Sequence, residues 1–371
     1  MLVAKYILKE LLWKSVLGVF FAIILLLGLQ SLRLGKTFIN FEMELELVCK
    51  IYLYLASSFL PIILPLGAVF AIFLSFARLN SSNELLALKT MAYKKVTVVL
   101  PFLFYSIAVS TLVAFACFQW GPLGNRNFEK TIKQAISKKI FNFFANDFYH
   151  SQDLGFSLFS ESSNKSDSSL NKVFFRESNQ LNFPSYLVAK KAIWKESNDT
   201  SLATLSFFDG SILAIRENVD SFEQVFFERY DFQIKLKEQK FYGSKAPINL
   251  TGPELWESLK KKGAKLKAIW SEIFKRMSLA SLPIFLLPLV FSLGWGSSRR
   301  KASNAVLWAL TISISYWLTY MLVSIFLNKT QWGHLIQNPL FLFAIFFLPN
   351  ILCLLLAFIR YWVHKNRVYR A

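Results

Sequence analysis

At 371 residues, 54% of them hydrophobic and 38 of them phenylalanine, with a mean hydropathy of +0.40, the chain is too apolar for an ordinary soluble domain. Its formal net charge of +19 would suit nucleic acid, but the Lys and Arg gather beside apolar runs, where membrane topology and anionic lipid account for them without any nucleic-acid partner. Cys49, Cys117 and Cys353 are odd in number, lie in or next to apolar runs and lack CxxC spacing, which argues against both a disulfide framework and a cysteine metal site.

The first uncharged run, residues 15–32, lacks a small-residue cleavage site and reads as a retained span. Arg33 and Lys36 follow at its end. A basic pair there suits an anionic lipid headgroup, and equally a pair of interfacial anchors. Gly35-Lys36-Thr37 has the tail of a P-loop, but the motif's first glycine would fall at position 30, which is Gln30. The chain therefore has no nucleotide site of that kind, and hydrolysis would belong to a separate subunit.

Span two covers residues 51–77 and span three 96–120, again without Asp, Glu, Lys or Arg. Pro61 and Pro65 are expected to kink span two. Between the two spans lies 78–95, RLNSSNELLALKTMAYKK, whose Ser81-x-x-Glu84 has the form of a capping box and predicts a helix over 81–92. Leu85, Leu88 and Ala92 share its apolar face, with Met91 beside it. Two readings fit this spacing: docking in a groove on a soluble partner, or lying on the headgroups with Lys89, Lys94 and Lys95 reaching anionic lipid.

Residues 121–272 differ in character and read as a domain inserted after span three. Its start, 125–140, is polar with helical spacing and extends span three; 160–171 reads as a serine-rich loop. Short aromatic and β-branched runs follow at 172–176, 185–194, 201–208, 212–216, 224–230 and 232–236, with Asp209-Gly210 as a tight-turn signal between two of them. Thr251-Gly252-Pro253-Glu254 repeats the capping-box pattern ahead of a helix leading to span four. The insert is thus β-rich with helical connectors.

Spans four to six are read at 277–298, 302–328 and 335–359, so that 1–120 and 273–371 form a 3+3 α-helical membrane bundle around the insert. Lys5, Lys9, Lys14, Arg78, Lys89, Lys94, Lys95, Arg299, Arg300, Lys301, Arg360, Lys365, Arg367 and Arg370 accumulate on one side. The positive-inside rule makes that side, with both termini, cytoplasmic, and the insert extracytoplasmic. His150, His334 and His364 lie far apart and outside the spans, leaving little material for a metal or catalytic cluster. The spans also lack the intramembrane charges of ion-coupled carriers. A transport reading therefore needs an external motor, and neither a metal nor a cofactor is expected.

The chain resembles the LptF/LptG (YjgP/YjgQ) family, the permease subunits of the lipopolysaccharide-export ABC transporter. The likeness starts at Lys5-Tyr6-Ile7-Leu8-Lys9-Glu10 and is most specific at Glu84-Leu85-Leu86-Ala87-Leu88-Lys89, similar to the family's coupling helix. Gly121-Pro122, Asn125-Arg126, Lys275-Arg276 and Pro349-Asn350 add to it, while Ala92 stands where the family usually has glycine. Phe208-Asp209-Gly210 and 227–231 look more like LptF than LptG. The resemblance implies an inner-membrane heterodimer with a paralogous six-span permease on a dimeric cytoplasmic ATPase, a β-jellyroll insert, and delivery of lipopolysaccharide to a periplasmic bridge protein. Glu84, Leu85, Leu88 and Met91 would then contact the ATPase, and Arg33 and Lys36 the lipid A phosphates. A rival reading is a membrane scaffold or sensor whose β domain binds a periplasmic protein; a lipid-modifying enzyme comes third for want of a catalytic cluster.

Overall fold

The computed structural model describes residues 2–40, 43–144, 148–151, 156–164, 169–177, 185–196, 203–215, 222–234, 246–260, 266–294 and 339–368, with scattered positions between 307 and 322. Its helices are α1 (Leu2–Asn40), α2 (Leu45–Ser81), α3 (Glu84–Thr90), α4 (Lys95–Phe115), α5 (Gly121–Phe144), α6 (Gly252–Lys260), α7 (Leu266–Gly294) and α8 (Pro339–Val368), with a π-helical turn at Ala116–Trp120 between α4 and α5. Among the described residues five stretches are long and apolar enough to cross a membrane: Leu2–Gly35, Leu45–Ser81, Lys95–Ser137, Leu266–Ser292 and Phe341–Arg360. The remaining expected span, 302–328, falls largely outside the described residues. Pro61, Pro65, Pro283 and Pro288 lie within α2 and α7, which stay helical through them.

By internal contacts the chain forms two units, one of Met1–Leu32, Leu55–Gly124 and Leu250–Ala371, the other of Arg33–Tyr54 and Asn125–Asn249. The first is a helix bundle around one apolar core that takes Ile7 and Leu11 from α1, Ile72 and Phe76 from α2, Val98 and Phe102 from α4, Leu286 and Val290 from α7, and Ala357 from α8. Phe76, Phe102 and Phe291 meet edge to face, with ring centroids 5.1 to 6.0 Å apart, and so join α2, α4 and α7. Helices α1 and α2 cross at glycine: a Cβ on Gly67 would stand 2.6 Å from Val19 Cγ2 and 3.3 Å from the Ser15 carbonyl oxygen. Small residues at such a crossing let helix backbones approach closely where lipid offers no hydrophobic drive.

The second unit contains a six-stranded antiparallel sheet in the order β1-β2-β3-β4-β5-β6, each strand paired with its chain neighbour. The strands are β1 (Phe148–Ser151), β2 (Phe156–Asn164), β3 (Ser169–Glu177), β4 (Ser185–Glu196), β5 (Ala203–Ile215) and β6 (Phe222–Ile234). None of these six makes the crossover of a jelly roll. Phe156, Phe175, Phe207 and Phe232 cluster on one face, with neighbouring centroids 4.8 to 6.2 Å apart. Trp194 on β4 donates its indole N–H to the Ser137 hydroxyl of α5 at 2.8 Å, holding that helix to the sheet.

Three expectations are corrected here. The serine-rich tract 160–171 is mostly ladder, with Ser162 opposite Asn171 and Asn164 opposite Ser169. Asp209-Gly210 is not a turn but the middle of β5, and residues 224–234 belong to one strand rather than two. The positive φ that an Asp-Gly turn favours is nonetheless present at Asp209, at 51°, and also at Lys172, at 48°. Register carries straight through both: Lys191 faces Phe208 and Ala189 faces Gly210, leaving Lys190 and Asp209 without a bridge partner between them. The same gap recurs at Glu161, Lys172 and Glu228, so one line across five strands interrupts the ladder. Along it the alternation of faces slips: Asn171 and Lys172 are both exposed, as are Lys190 and Lys191, while the buried set changes from Leu187 and Ala189 to Ala192 and Trp194.

Gly210 is required there by proximity rather than by turning. A Cβ on it would lie 2.3 Å from the Val188 carbonyl oxygen of β4 and 2.6 Å from the Phe227 ring of β6. Replacing Gly210 by Ala should cost the sheet about 1–3 kcal/mol, the usual range for overpacking. Faster limited proteolysis of the insert, with the bundle intact, is the expected outcome.

Candidate functional site

Helix α3 is shorter than the expected 81–92, and its start differs in kind. Ser81 is the last residue of α2, and its hydroxyl donates to the Arg78 carbonyl oxygen at 3.1 Å, as the Ser82 hydroxyl does at 2.8 Å. Asn83 then turns with φ 59° and α3 begins at Glu84. The capping box thus does not form: Glu84 Oε1 accepts from the Tyr6 hydroxyl at 3.5 Å and lies 3.0 Å from the Ser82 hydroxyl, whose one proton it shares with the Arg78 carbonyl oxygen. One half of the matching Thr251–Glu254 box does form, the Thr251 backbone N–H donating to Glu254 Oε2 at 2.8 Å at the head of α6.

The four residues picked out on α3 are separated by the fold. Leu85 is only 3% exposed, inside the bundle core, and Leu88 packs against the same cluster. Met91, 69% exposed, points away. It bounds a solvent-facing arc that runs through Ala87 and Thr90 to Leu86, itself 51% exposed. Leu86 carried no signal in the sequence, because an amphipathic pattern marks which residues are apolar and not which neighbour covers them. Glu84 borders this arc.

At the other end of α1, Arg33 is exposed and Lys36 lies in the same helix one turn on. The side chain of Lys36 falls outside the described residues. Arg33 and Tyr52 each make an interaction of their own, so neither is idle.

The motif residues away from α3 make polar joints between segments distant in sequence. In the second unit, Asn125 Nδ2 donates to Asn249 Oδ1, and Arg126 Nη2 to the Asn249 carbonyl oxygen at 2.9 Å. In the first, Arg276 donates to the Leu250 carbonyl oxygen at 2.8 Å and pairs with Glu272 at 3.0 Å. Asn350, fully buried in α8, donates to the Ser278 carbonyl oxygen of α7 at 3.0 Å and the Ser281 hydroxyl at 3.1 Å. Between apolar helices, such bonds are worth about 0.6–2 kcal/mol each. Asn249 carries no signal in the sequence, since a lone Asn in a loop has no pattern around it.

The sheet carries a second apolar layer on its exposed face. Phe159, Phe174, Val188, Ser211 and Phe226 follow one another in register from β2 to β6, and the four apolar members are all exposed. With Lys172 and Lys190, and the carboxylates of Glu161, Asp209 and Glu228, they line an open groove of about 850 Å³. Among the described residues no three His, Cys, Asp or Glu side chains come together as metal ligands would.

The bundle of long apolar helices, the short α3 between two of them and the β insert form one architecture, and one family description fits it end to end: the model for "Lipopolysaccharide export system permease LptF/LptG" matches residues 5–363. The chain belongs to the LptF/LptG family. No curated protein matches it. The family match covers LptF and LptG alike, so the LptF leaning drawn from 208–210 and 227–231 has no support from it. LptF/LptG proteins are multi-pass permease subunits of the lipopolysaccharide export system, a transport role rather than a catalytic one.

One departure from the family has a visible outcome. Ala92 keeps the left-handed stop that glycine favours: its φ is 58°, and the Tyr93 N–H donates to the Leu88 carbonyl oxygen at 3.1 Å, closing α3 with a Schellman bond. An alanine held there costs about 1 kcal/mol relative to glycine. Ala92→Gly should therefore slow amide hydrogen exchange at Tyr93 by several-fold, and unchanged exchange would show that the stop carries no strain.

Proposed function

We propose that this LptF/LptG subunit sits in the inner membrane with both termini cytoplasmic. There it pairs with a paralogous six-span permease, takes its energy from a dimeric cytoplasmic ATPase, and moves lipopolysaccharide from the outer leaflet to a periplasmic bridge protein. The family match over residues 5–363 carries the reading. The positive-inside distribution of Lys and Arg supports the orientation.

In this reading α3 is the element the ATPase grips. Its contact surface is the exposed arc of Leu86, Ala87, Thr90 and Met91 with Glu84 at its border, while Leu85 and Leu88 anchor the helix in the bundle. Burying one leucine contributes about 1.5–3 kcal/mol, enough to hold a seven-residue helix in place that could not persist alone. Arg33 and Lys36 receive the anionic headgroup. The acyl chains then pass to the insert, where the exposed row of Phe159, Phe174, Val188 and Phe226 offers accessible apolar surface.

The double variant Leu86→Glu/Met91→Glu is expected to insert normally and lose co-purification with the ATPase, whereas Leu85→Ala should lower thermal stability and keep the partner. Retention of the ATPase by the double variant would sink the docking assignment. For the headgroup site, Arg33→Glu/Lys36→Glu should cut photo-crosslinking of lipopolysaccharide to the bundle severalfold without loss of assembly. Crosslinking at the unmodified level would make both residues interfacial anchors.

A further inference from the structure

Helix α3 is joined by the chain to α2 before it and α4 after it, but not to α1. A set of polar contacts supplies that missing connection. Tyr6, Glu10 and Lys14 recur one turn apart on α1, facing the last turn of α2. Arg78 of α2 sends Nη1 to Glu10 Oε1 at 3.1 Å and Nη2 to the Tyr6 hydroxyl at 3.0 Å. Its guanidinium carbon lies 6.0 Å from the Tyr6 ring centroid. The Tyr6 hydroxyl, accepting from Arg78 through a lone pair, has its proton free to donate, and it donates to Glu84 Oε1 on α3 at 3.5 Å. Lys14 closes the other end, donating to Glu10 and to the Leu74 carbonyl oxygen of α2 at 3.1 Å. The result is an unbroken line, Lys14–Glu10–Arg78–Tyr6–Glu84, across three helices.

Two features suit this line to movement. Tyr6 and Arg78 are both exposed, so water can take over their bonds when the helices shift. Glu10, by contrast, is buried, and its second oxygen Oε2 has no hydrogen-bond partner among the described residues. Arg78 can therefore change oxygens on Glu10 without stripping the buried carboxylate of its charge partner. The apolar contact of Leu85 with the core is non-directional and holds α3 at a depth; the long Tyr6–Glu84 contact, at 3.5 Å, is directional and biases which way its first turn faces.

We infer that Tyr6 and Arg78 are positioning residues that tie the first turn of α3 to α1, so that a force exerted on α3 by a nucleotide-hydrolysing partner reaches α1 as well as α2 and α4. This rests on the reading of α3 as the docking element. Helix α1 carries Arg33 near its other end, so the link would give that end a second route to the motor, through α1 itself, beside the covalent one through α2.

The test uses the full transporter with its ATPase, reconstituted in lipopolysaccharide-containing liposomes, and the variants Tyr6→Phe and Arg78→Gln. In each, amide exchange over residues 84–88 should accelerate at least fivefold; unchanged exchange in both variants overturns the link, whatever α3 binds. The ATPase should still co-purify and hydrolyse ATP within twofold of the unmodified rate, while lipopolysaccharide exported per ATP falls at least fivefold. An unaltered ratio of export to hydrolysis, even at lower rates of both, overturns the coupling role and leaves a stabilising contact. Loss of the ATPase from Tyr6→Phe also overturns it, because the residue would then shape the docking surface. Failure of the docking reading is separate and visible without these variants, as retention of the ATPase by Leu86→Glu/Met91→Glu.

Discussion

Glu10 is a carboxylate buried among apolar helices, and an unpaired charge there would cost several kcal/mol. Lys14 and Arg78 must therefore converge on it, one from its own helix and one from the end of α2. That convergence is possible only because α1 and α2 approach closely, which the glycines at 18 and 67 permit. Once Arg78 is fixed by Glu10, its second prong meets Tyr6, and Tyr6 meets Glu84. The line of polar contacts that reaches the first turn of α3 thus starts from a charge that has to be neutralised on α1, while Leu85 and Leu88 hold the helix in the core.

The two Ser/Thr-x-x-Glu patterns show why a motif needs its context. At Thr251 the chain arrives from a short 3-10 turn, Pro247–Asn249, so the threonine N–H is free and Glu254 reaches back to it. At Ser81 the chain arrives as the last turn of α2, where the serine hydroxyls satisfy the Arg78 carbonyl oxygen. A helix ending leaves carbonyl groups in need of donors, and Ser81 and Ser82 serve that end before any new helix starts. The spacing is identical and the outcome opposite. Asp209-Gly210 makes the same point for the sheet: the positive φ that the pair favours is present, but strands on both sides hold the ladder in register, so it bends a strand instead of ending it.

The residues that carry the family likeness mostly do mechanical work. Arg126, Arg276 and Asn350 each bridge segments far apart in the chain through backbone carbonyl oxygens. Side chains that bond to backbone constrain geometry without regard to the neighbouring residue type. Such positions therefore read in sequence as isolated polar residues with no periodic partner. The exposed apolar row on the sheet was hidden for a related reason, since its members come from separate strands and only the pairing register lines them up.

What the sequence alone determined was the placement of the described apolar spans, the β-rich character of the insert and the apolar face of α3. Hydropathy and short-range periodicity report these because each segment must meet them by itself: a span has to satisfy its backbone inside lipid residue by residue, whatever its neighbours do. Tertiary structure decided what covers each face. Leu85 and Leu88 are turned into the bundle and Leu86 and Met91 away from it, a choice made by the core that α1, α2 and α4 build around them. An apolar stripe is a property of one helix, but its burial is a property of several, and only the assembled bundle shows which side of α3 stays exposed.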